Sequence, residues 1–172
     1  MAQLSEAAFG EVYRRATRPL WTYVYRVTGS APDSDDIVQE TFCRLLRAEV
    51  GELGDEELRR YLFRVAGNLL VDRWRRSARE RGWLERIRHM SIQASAHLHI
   101  VASDAEEEMP RIFAALKPRD RALLWLAYVE EHDHRQIAEA LRVGPASVKV
   151  LLSRARARLR DLLNATAPPA GK

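Results

Sequence analysis

The stretch Gly144–Leu163, GPASVKVLLSRARARLRDLL, decides how this chain is read. Between Leu141 and Arg160 lie Arg142, Lys149, Arg154, Arg156, Arg158 and Arg160, with no acidic residue among them. Val148, Leu152, Ala155, Leu159 and Leu162 recur at helical spacing, so one stripe is buried while the arginines stand in water. Just upstream, HDHRQIAEALRV (132–143) reads as a shorter amphipathic helix with Ile137, Ala138 and Leu141 as its apolar side. Asp133, followed three residues later by Gln136, forms a capping box for this helix, and Pro145 suits the first turn of the next. Two helices joined by a tight turn, the second densely basic, predict a helix-turn-helix whose second helix reads a major groove. An isolated charge run is more often a solvated face; the turn chemistry and the preceding helix favour duplex DNA here.

Outward from this unit, periodic apolar residues and few glycines predict helices throughout and an all-α fold. Leu4 to about Thr28 reads as one or two helices, with Phe9, Val12, Tyr13, Leu20, Val24 and Val27 available for a core. Gly29 ends that segment, and Ser30-Ala-Pro-Asp33 forms a capping start for the next. From Asp36 to about Ala48, Ile37, Val38, Phe42, Leu45 and Leu46 face inward, while Asp36, Gln39, Glu40 and Arg47 face out and Glu40–Arg44 forms an i,i+4 pair. A long helix is expected from about Glu56 to Arg76 with Leu58, Leu62, Val65, Leu69 and Leu70 as its stripe. Residues 77–105 are the least periodic. A helix from about Ala105 to Leu116 and a Pro118-started helix to about Glu130 then lead into the helix-turn-helix. The expected organisation is two small helical domains, 1–80 and 105–164, joined by a flexible linker (81–104) and followed by a frayed tail (165–172).

Composition bounds the function. Of 28 basic residues only Lys117, Lys149 and Lys172 are lysine; arginine suits bidentate phosphate and guanine contacts. Arginine clusters at 73–88 and 142–160 contrast with acidic clusters at 33–57 and 104–108, so basic and acidic surfaces imply different partners. Cys43 is the single cysteine, which excludes an intrachain disulfide and fits a reducing compartment. No apolar run is long enough for membrane insertion. The first residues lack the cationic start and apolar core of a secretory leader, so a cytoplasmic location is expected.

Two further faces carry chemistry. Asp36, Gln39, Glu40, Arg44 and Arg47 make a mixed polar surface suited to a protein partner that is held and later released. On the long helix, Arg64, Asn68, Asp72, Arg75 and Arg76, with Tyr61, Phe63 and Trp74 nearby, combine cations, an amide and aromatic rings. That mixture suits single-stranded DNA, where rings stack unpaired bases and an amide reads a base edge. Tyr61 and Trp74 are alternatively core residues, and Arg73, Arg75, Arg76 and Arg79 alternatively a general phosphate-binding surface.

DDIVQETFCRLL (35–46), YLFRVAGNLLVDRWRR (61–76) and LKPRDRALLWLAYVEEHDHRQIAEALRVGPASVKVLLSRARARLRDLL (116–163) occur in this order. Together they resemble a bacterial extracytoplasmic-function (ECF) sigma factor of the sigma-70 family. The resemblance implies a sigma-2-like helical bundle and a sigma-4-like helix-turn-helix domain. It also implies core RNA polymerase as a partner, through the beta-prime clamp helices and the beta flap, with the 36–47 face docking on the clamp helices. Tyr61, Phe63, Arg64, Asn68, Asp72, Arg75 and Arg76 would recognise and melt the promoter −10 element. Asn68 matches the family's RxAxN pattern and would line a flipped-base pocket. Arg135, Ser147, Lys149, Ser153, Arg154, Arg156 and Arg158 would bind the duplex −35 element, with Arg156 and Arg158 on phosphates and Arg135 clamping the backbone. An anti-sigma factor is a further implied partner. Where the family is usually polar after Val148-Lys149, this chain has Val150 and Leu151. A protein partner, thymine methyls, or packing against the linker or N-terminal domain would each account for them, in which the protein partner ranks first.

Catalysis is not expected. His132-Asp133-His134 lacks the further ligands that a metal site needs, as do His89, His97 and His99. No phosphate-cradling glycine loop or nucleophile elbow occurs. Glu106–Glu108 suits a first helical turn. No cofactor or metal is implied. The rival readings are a stand-alone helix-turn-helix regulator, which leaves 61–76 unexplained, and, more distantly, an RNA-binding adaptor.

Overall fold

A computed structural model describes residues 5–48, 53–88 and 108–166. Seven α-helices are formed by these residues: α1 (Glu6–Thr28), α2 (Ala31–Arg47), α3 (Asp55–Arg88), α4 (Glu108–Ala115), α5 (Pro118–Tyr128), α6 (His134–Leu141) and α7 (Pro145–Thr166).

Local chemistry sets the helix ends. The Ser5 hydroxyl accepts from the Ala8 N–H, and α1 stops at Gly29, whose φ of 71° lies in the left-handed region that glycine enters without a Cβ clash. The 4–28 segment is one helix with Pro19 inside it, rather than two. Helix α2 starts at Ala31, in line with the capping start read at Ser30-Ala-Pro-Asp33: Ser30 caps it and a proline stands in its first turn. Asp55, Glu56 and Glu57 occupy the first turn of α3, where negative charge complements the helix dipole. That helix runs on through Arg88, past the boundary expected at 80, for a length of 34 residues. Helix α7 likewise runs to Thr166, into the tail expected from 165; residues 89–104 of the expected linker and 167–172 of the expected tail lie outside the described residues, as do His89, His97 and His99 and all but the last residue of the acidic run at 106–108.

The two halves share one core. Leu20, Tyr23, Val24 and Val27 of α1, Ile37, Val38, Phe42 and Leu45 of α2, and Leu58, Leu62, Phe63, Ala66 and Leu70 of α3 pack with Leu123 and Leu126 of α5, Ile137, Ala140 and Leu141 of α6, and Val148 and Leu152 of α7. A smaller cluster of Leu116, Leu124 and Ala155, flanked by Phe113, Leu159 and Leu162, ties α4 and α5 to α7. Leu46 and Tyr13, expected in the core, are instead 48% and 47% exposed. Leu46 falls off the stripe set by Val38, Phe42 and Leu45, while Tyr13 lies over the Phe42 ring at 4.8 Å from the protein surface. Between the halves, α6 packs on α3 and α5 packs on α1. Tyr23 sits at this junction, its ring against Phe63 and Trp125. Burial, and then the Glu130 carboxylate, hold its phenol well above the usual range.

Candidate nucleic-acid interface

The helix-turn-helix is built as its sequence dictates. Asp133 accepts from the Gln136 N–H at 2.8 Å and the Gln136 side chain accepts from the Asp133 N–H at 2.9 Å, which completes the capping box. Helix α6 ends at Arg142, whose φ and ψ are both 50°, and the chain turns into α7 at Pro145. Val148, Leu152 and Ala155 bury one stripe of α7. Ser147, Lys149, Ser153, Arg154 and Arg156 are exposed opposite it, a row of cations and hydroxyls facing water. Arg135 is 84% exposed and reaches Glu139 on its own helix at 3.3 Å.

Arg158 departs from this pattern. Its Nη1 donates to both carboxylate oxygens of Asp120 in α5, at 2.9 and 2.8 Å, and the Asp120 side chain is only 7% exposed. A buried carboxylate needs that partner, so Arg158 braces α7 on α5 rather than standing free for a phosphate. Val150 is 49% exposed, whereas Leu151 is half-buried and packs on the main core. The two apolar departures from the polar pattern therefore have different settings.

On α2, Asp36, Gln39 and Arg47 are exposed. Glu40 accepts from Arg44 Nε at 2.8 Å, and this hydrogen bond holds its carboxyl below the usual range. The mixed polar face is present as expected, on a helix packed against α1 and α3.

The α3 face is engaged by the chain itself. Arg59 donates to Glu130, in the loop before α6, at 2.9 and 2.7 Å through Nε and Nη2, and the Glu130 side chain is 2% exposed. Arg64 lies over the Tyr61 ring at 5.3 Å and approaches Glu139 of α6 at 3.7 Å. Arg142 donates through Nε to the Asn68 carboxamide oxygen and through Nη1 to Asp72 at 2.6 Å. Between these ties the backbones come close. A Cβ on Gly67 would stand 2.7 Å from the Ala140 carbonyl oxygen, so glycine there, which costs about 1 kcal/mol against alanine in a helix interior, is what allows the approach.

The expected aromatic platform is corrected in one respect. Phe63 is fully buried, packed between Tyr23 and His132 with the Arg59 guanidinium 5.1 Å from its ring centre. It is a core residue and offers no face to an unpaired base, because its position on α3 points to α1 rather than outward. Tyr61 and Trp74 are half-buried against the core. Arg75 and Arg76 are exposed, while Arg73 pairs with Asp33 of α2. Arg142, Gly67, Arg59 and the Asp120–Arg158 pair were not singled out as site or interface residues by sequence reasoning. Gly67 in an otherwise helical run was the one legible signal. Among the described residues no group of three or more His, Cys, Asp or Glu side chains is placed to hold a metal ion. No helix among them is long and apolar enough to cross a membrane.

Comparison with known proteins matches residues 12–80 to sigma-70 region 2 and residues 106–159 to sigma-70 region 4. The chain is 31% identical over 174 residues to the ECF RNA polymerase sigma factor SigL of Mycobacterium tuberculosis, covering 93% of this chain and 94% of that one. It is also 31% identical over 180 residues to SigG of the same organism, covering 91% of this chain but 48% of SigG, so it spans about half of that relative's length. The sigma factor RpoE from Bartonella quintana, solved in complex with the anti-sigma factor NepR, has a TM-score of 0.61 at 19% identity, over 92% of this chain and 98% of that one. At that identity the likeness is one of fold. Regions 2 and 4 on one helical chain define a sigma-70-type protein. The chain belongs to the ECF RNA polymerase sigma factors.

Proposed function

We propose that the chain binds core RNA polymerase, directs it to promoters through −35 and −10 contacts, and promotes strand opening in the cytoplasm. The observation that carries this reading is the exposed row Ser147, Lys149, Ser153, Arg154 and Arg156 on α7, backed by the buried stripe Val148, Leu152 and Ala155. A helix so mounted enters a major groove with its cations toward phosphates and base edges. In this reading 1–80 is the polymerase-docking and −10 domain, 105–164 the −35 domain, and 81–104 the tether. The polar face of Asp36, Gln39, Glu40, Arg44 and Arg47 takes the beta-prime clamp helices, and the C-terminal unit takes the beta flap. Asn68, Tyr61, Arg64, Asp72, Arg75 and Arg76 take the melted strand. The chemistry of bond formation belongs to polymerase; this chain supplies recognition. Exposed Val150 suits an apolar contact with an anti-sigma factor, the kind of partner on which the Bartonella structure was solved.

The test adds purified chain to sigma-free core polymerase and reads transcripts from a promoter library. Promoter-dependent initiation is expected. Duplex binding without polymerase binding would support a stand-alone regulator instead, and preference for structured RNA without promoter use would support an RNA adaptor. Either result overturns the proposal.

A further inference from the structure

The outermost line of α7 is apolar, although the helix is densely basic. Val148, Leu152 and Ala155 mark its buried side. At about 3.6 residues per turn, Ala146, Val150 and Ala157 lie diametrically opposite that stripe, and all three are exposed. The polar side chains flank this line, with Lys149, Arg156 and Arg160 on one side and Ser147 and Arg154 on the other. Leu151 is turned away and packs on the main core. Val150, 49% exposed, is therefore the one side chain larger than a methyl group on the line that points straight out. We infer that Val150 reads a thymine: its methyl groups close on the 5-methyl group of that base in the major groove of the −35 element and so specify one base pair of it. The inference rests on the proposed promoter reading and deepens it.

The chemistry selects thymine. A recognition helix meets base edges through its N-terminal turns, and Val150 stands in the second turn after Pro145. Its side chain has no donor and no acceptor, so a hydrogen-bonding base edge gains nothing from it. In the major groove thymine alone presents a methyl group. Cytosine in the same place presents its amino group, and a valine packed over that donor leaves it without a partner. Ser147 and Ser153, three residues to either side of Val150, donate or accept with equal ease and discriminate little. Ala146, one turn earlier on the same line, lets the helix sit close to the groove floor.

The far end of the helix confines the contact to these turns. Asp161 follows Val150 by eleven residues, about three full turns, so it lies on the same side and is exposed. A carboxylate there repels the phosphate backbone, which holds the end of α7 out of the groove and leaves base contact to the turns around Val150. The apolar contact with an anti-sigma factor suggested above uses the same methyl groups, so the two occupants of Val150 exclude one another.

The test uses holoenzyme assembled from the full chain and sigma-free core polymerase. A −35 sequence is selected from duplex promoter fragments carrying a randomised upstream element. Each thymine of the selected element is then replaced in turn by deoxyuridine, which keeps the base pair and removes only the 5-methyl group. Val150→Ser removes the protein's side of the contact, and at so exposed a position it leaves the fold intact.

One thymine is expected to be uracil-sensitive, with affinity falling about fourfold, the worth of one methyl group withdrawn from apolar contact. In Val150→Ser the same replacement changes nothing, so the two losses are not additive. An element selected without thymine, or one whose thymines all tolerate uracil, overturns the inference and leaves Val150 to the protein contact. Uracil sensitivity that persists unchanged in Val150→Ser also overturns it, because another side chain then reads the methyl group. The functional reading fails separately: if no sequence is enriched, promoter recognition by α7 falls and this inference with it, whereas an enriched but uracil-insensitive element removes only the role of Val150.

Discussion

Helices α3 and α7 are both rich in arginine, yet the folded chain treats them differently. On α7, Lys149, Arg154 and Arg156 project from the side opposite the buried stripe and face water. On α3, Arg59 and Arg64 are opposed by Glu130 and Glu139, and Asn68 and Asp72 by a cation from the other half. Equal charge in the sequence therefore becomes unequal availability in the fold. The difference arises because α7 needs only its local stripe to be held, whereas α3 is the surface on which the halves meet. A charge run says what a helix can bind; its tertiary partners say whether the site is vacant.

The largest effect is expected in the core beneath α3. Phe63→Ala is expected to lower stability by about 3–5 kcal/mol, because it empties a fully buried position shared by α1 and α3. Urea unfolding measures this; a loss below about 1 kcal/mol would return Phe63 to the exposed aromatic platform. Arg158→Ala should cost about 2 kcal/mol by leaving the buried Asp120 carboxylate without its charged partner. Arg156→Ala, two residues away but solvent-facing, should stay within about 0.5 kcal/mol. Equal thermal shifts for the two would erase the distinction between brace and free cation.

On the open side, Arg154→Ala is expected to weaken duplex binding by roughly tenfold and to leave stability intact. If Arg154 touches only phosphate, the loss will be uniform across sequences and the salt dependence will flatten by about one ion. The smallest effect belongs to α2. Glu40 has its carboxyl lowered by the Arg44 hydrogen bond. Its contribution is therefore fully present above the usual carboxylate range and disappears as pH falls through the lowered value. Carboxyl titration by NMR should show Glu40 moving up in Arg44→Ala; an unchanged midpoint would mean that the pair is not formed in solution.

What could be read from sequence follows the distance between interacting residues. The capping box at Asp133 and Gln136, the Ser30 cap, the Glu40–Arg44 pair and the Val148–Leu152–Ala155 stripe all act within a turn or two. Helical period and capping chemistry specify such contacts directly. Arg142 reaches Asn68 across 74 residues and Asp72 across 70, and Arg158 reaches Asp120 across 38. No local pattern distinguishes these arginines from their neighbours, so Arg158 reads as a phosphate contact and Arg142 as one member of a basic run. Phe63 is buried where its sequence setting suggests an exposed ring, for a related reason. Helix α3 is apolar on more than one side, since it packs on α1, α2 and α6, and a single-stripe reading assigns its second buried side to solvent.

Gly67 gives the junction of α3 and α6 a tolerance of one hydrogen atom, because even the smallest side chain would meet the Ala140 carbonyl. Every glycine codon becomes an alanine codon by one change at its second base. The close contact of α3 with α6 is thus a single inherited substitution away from one in which the two backbones must shift apart.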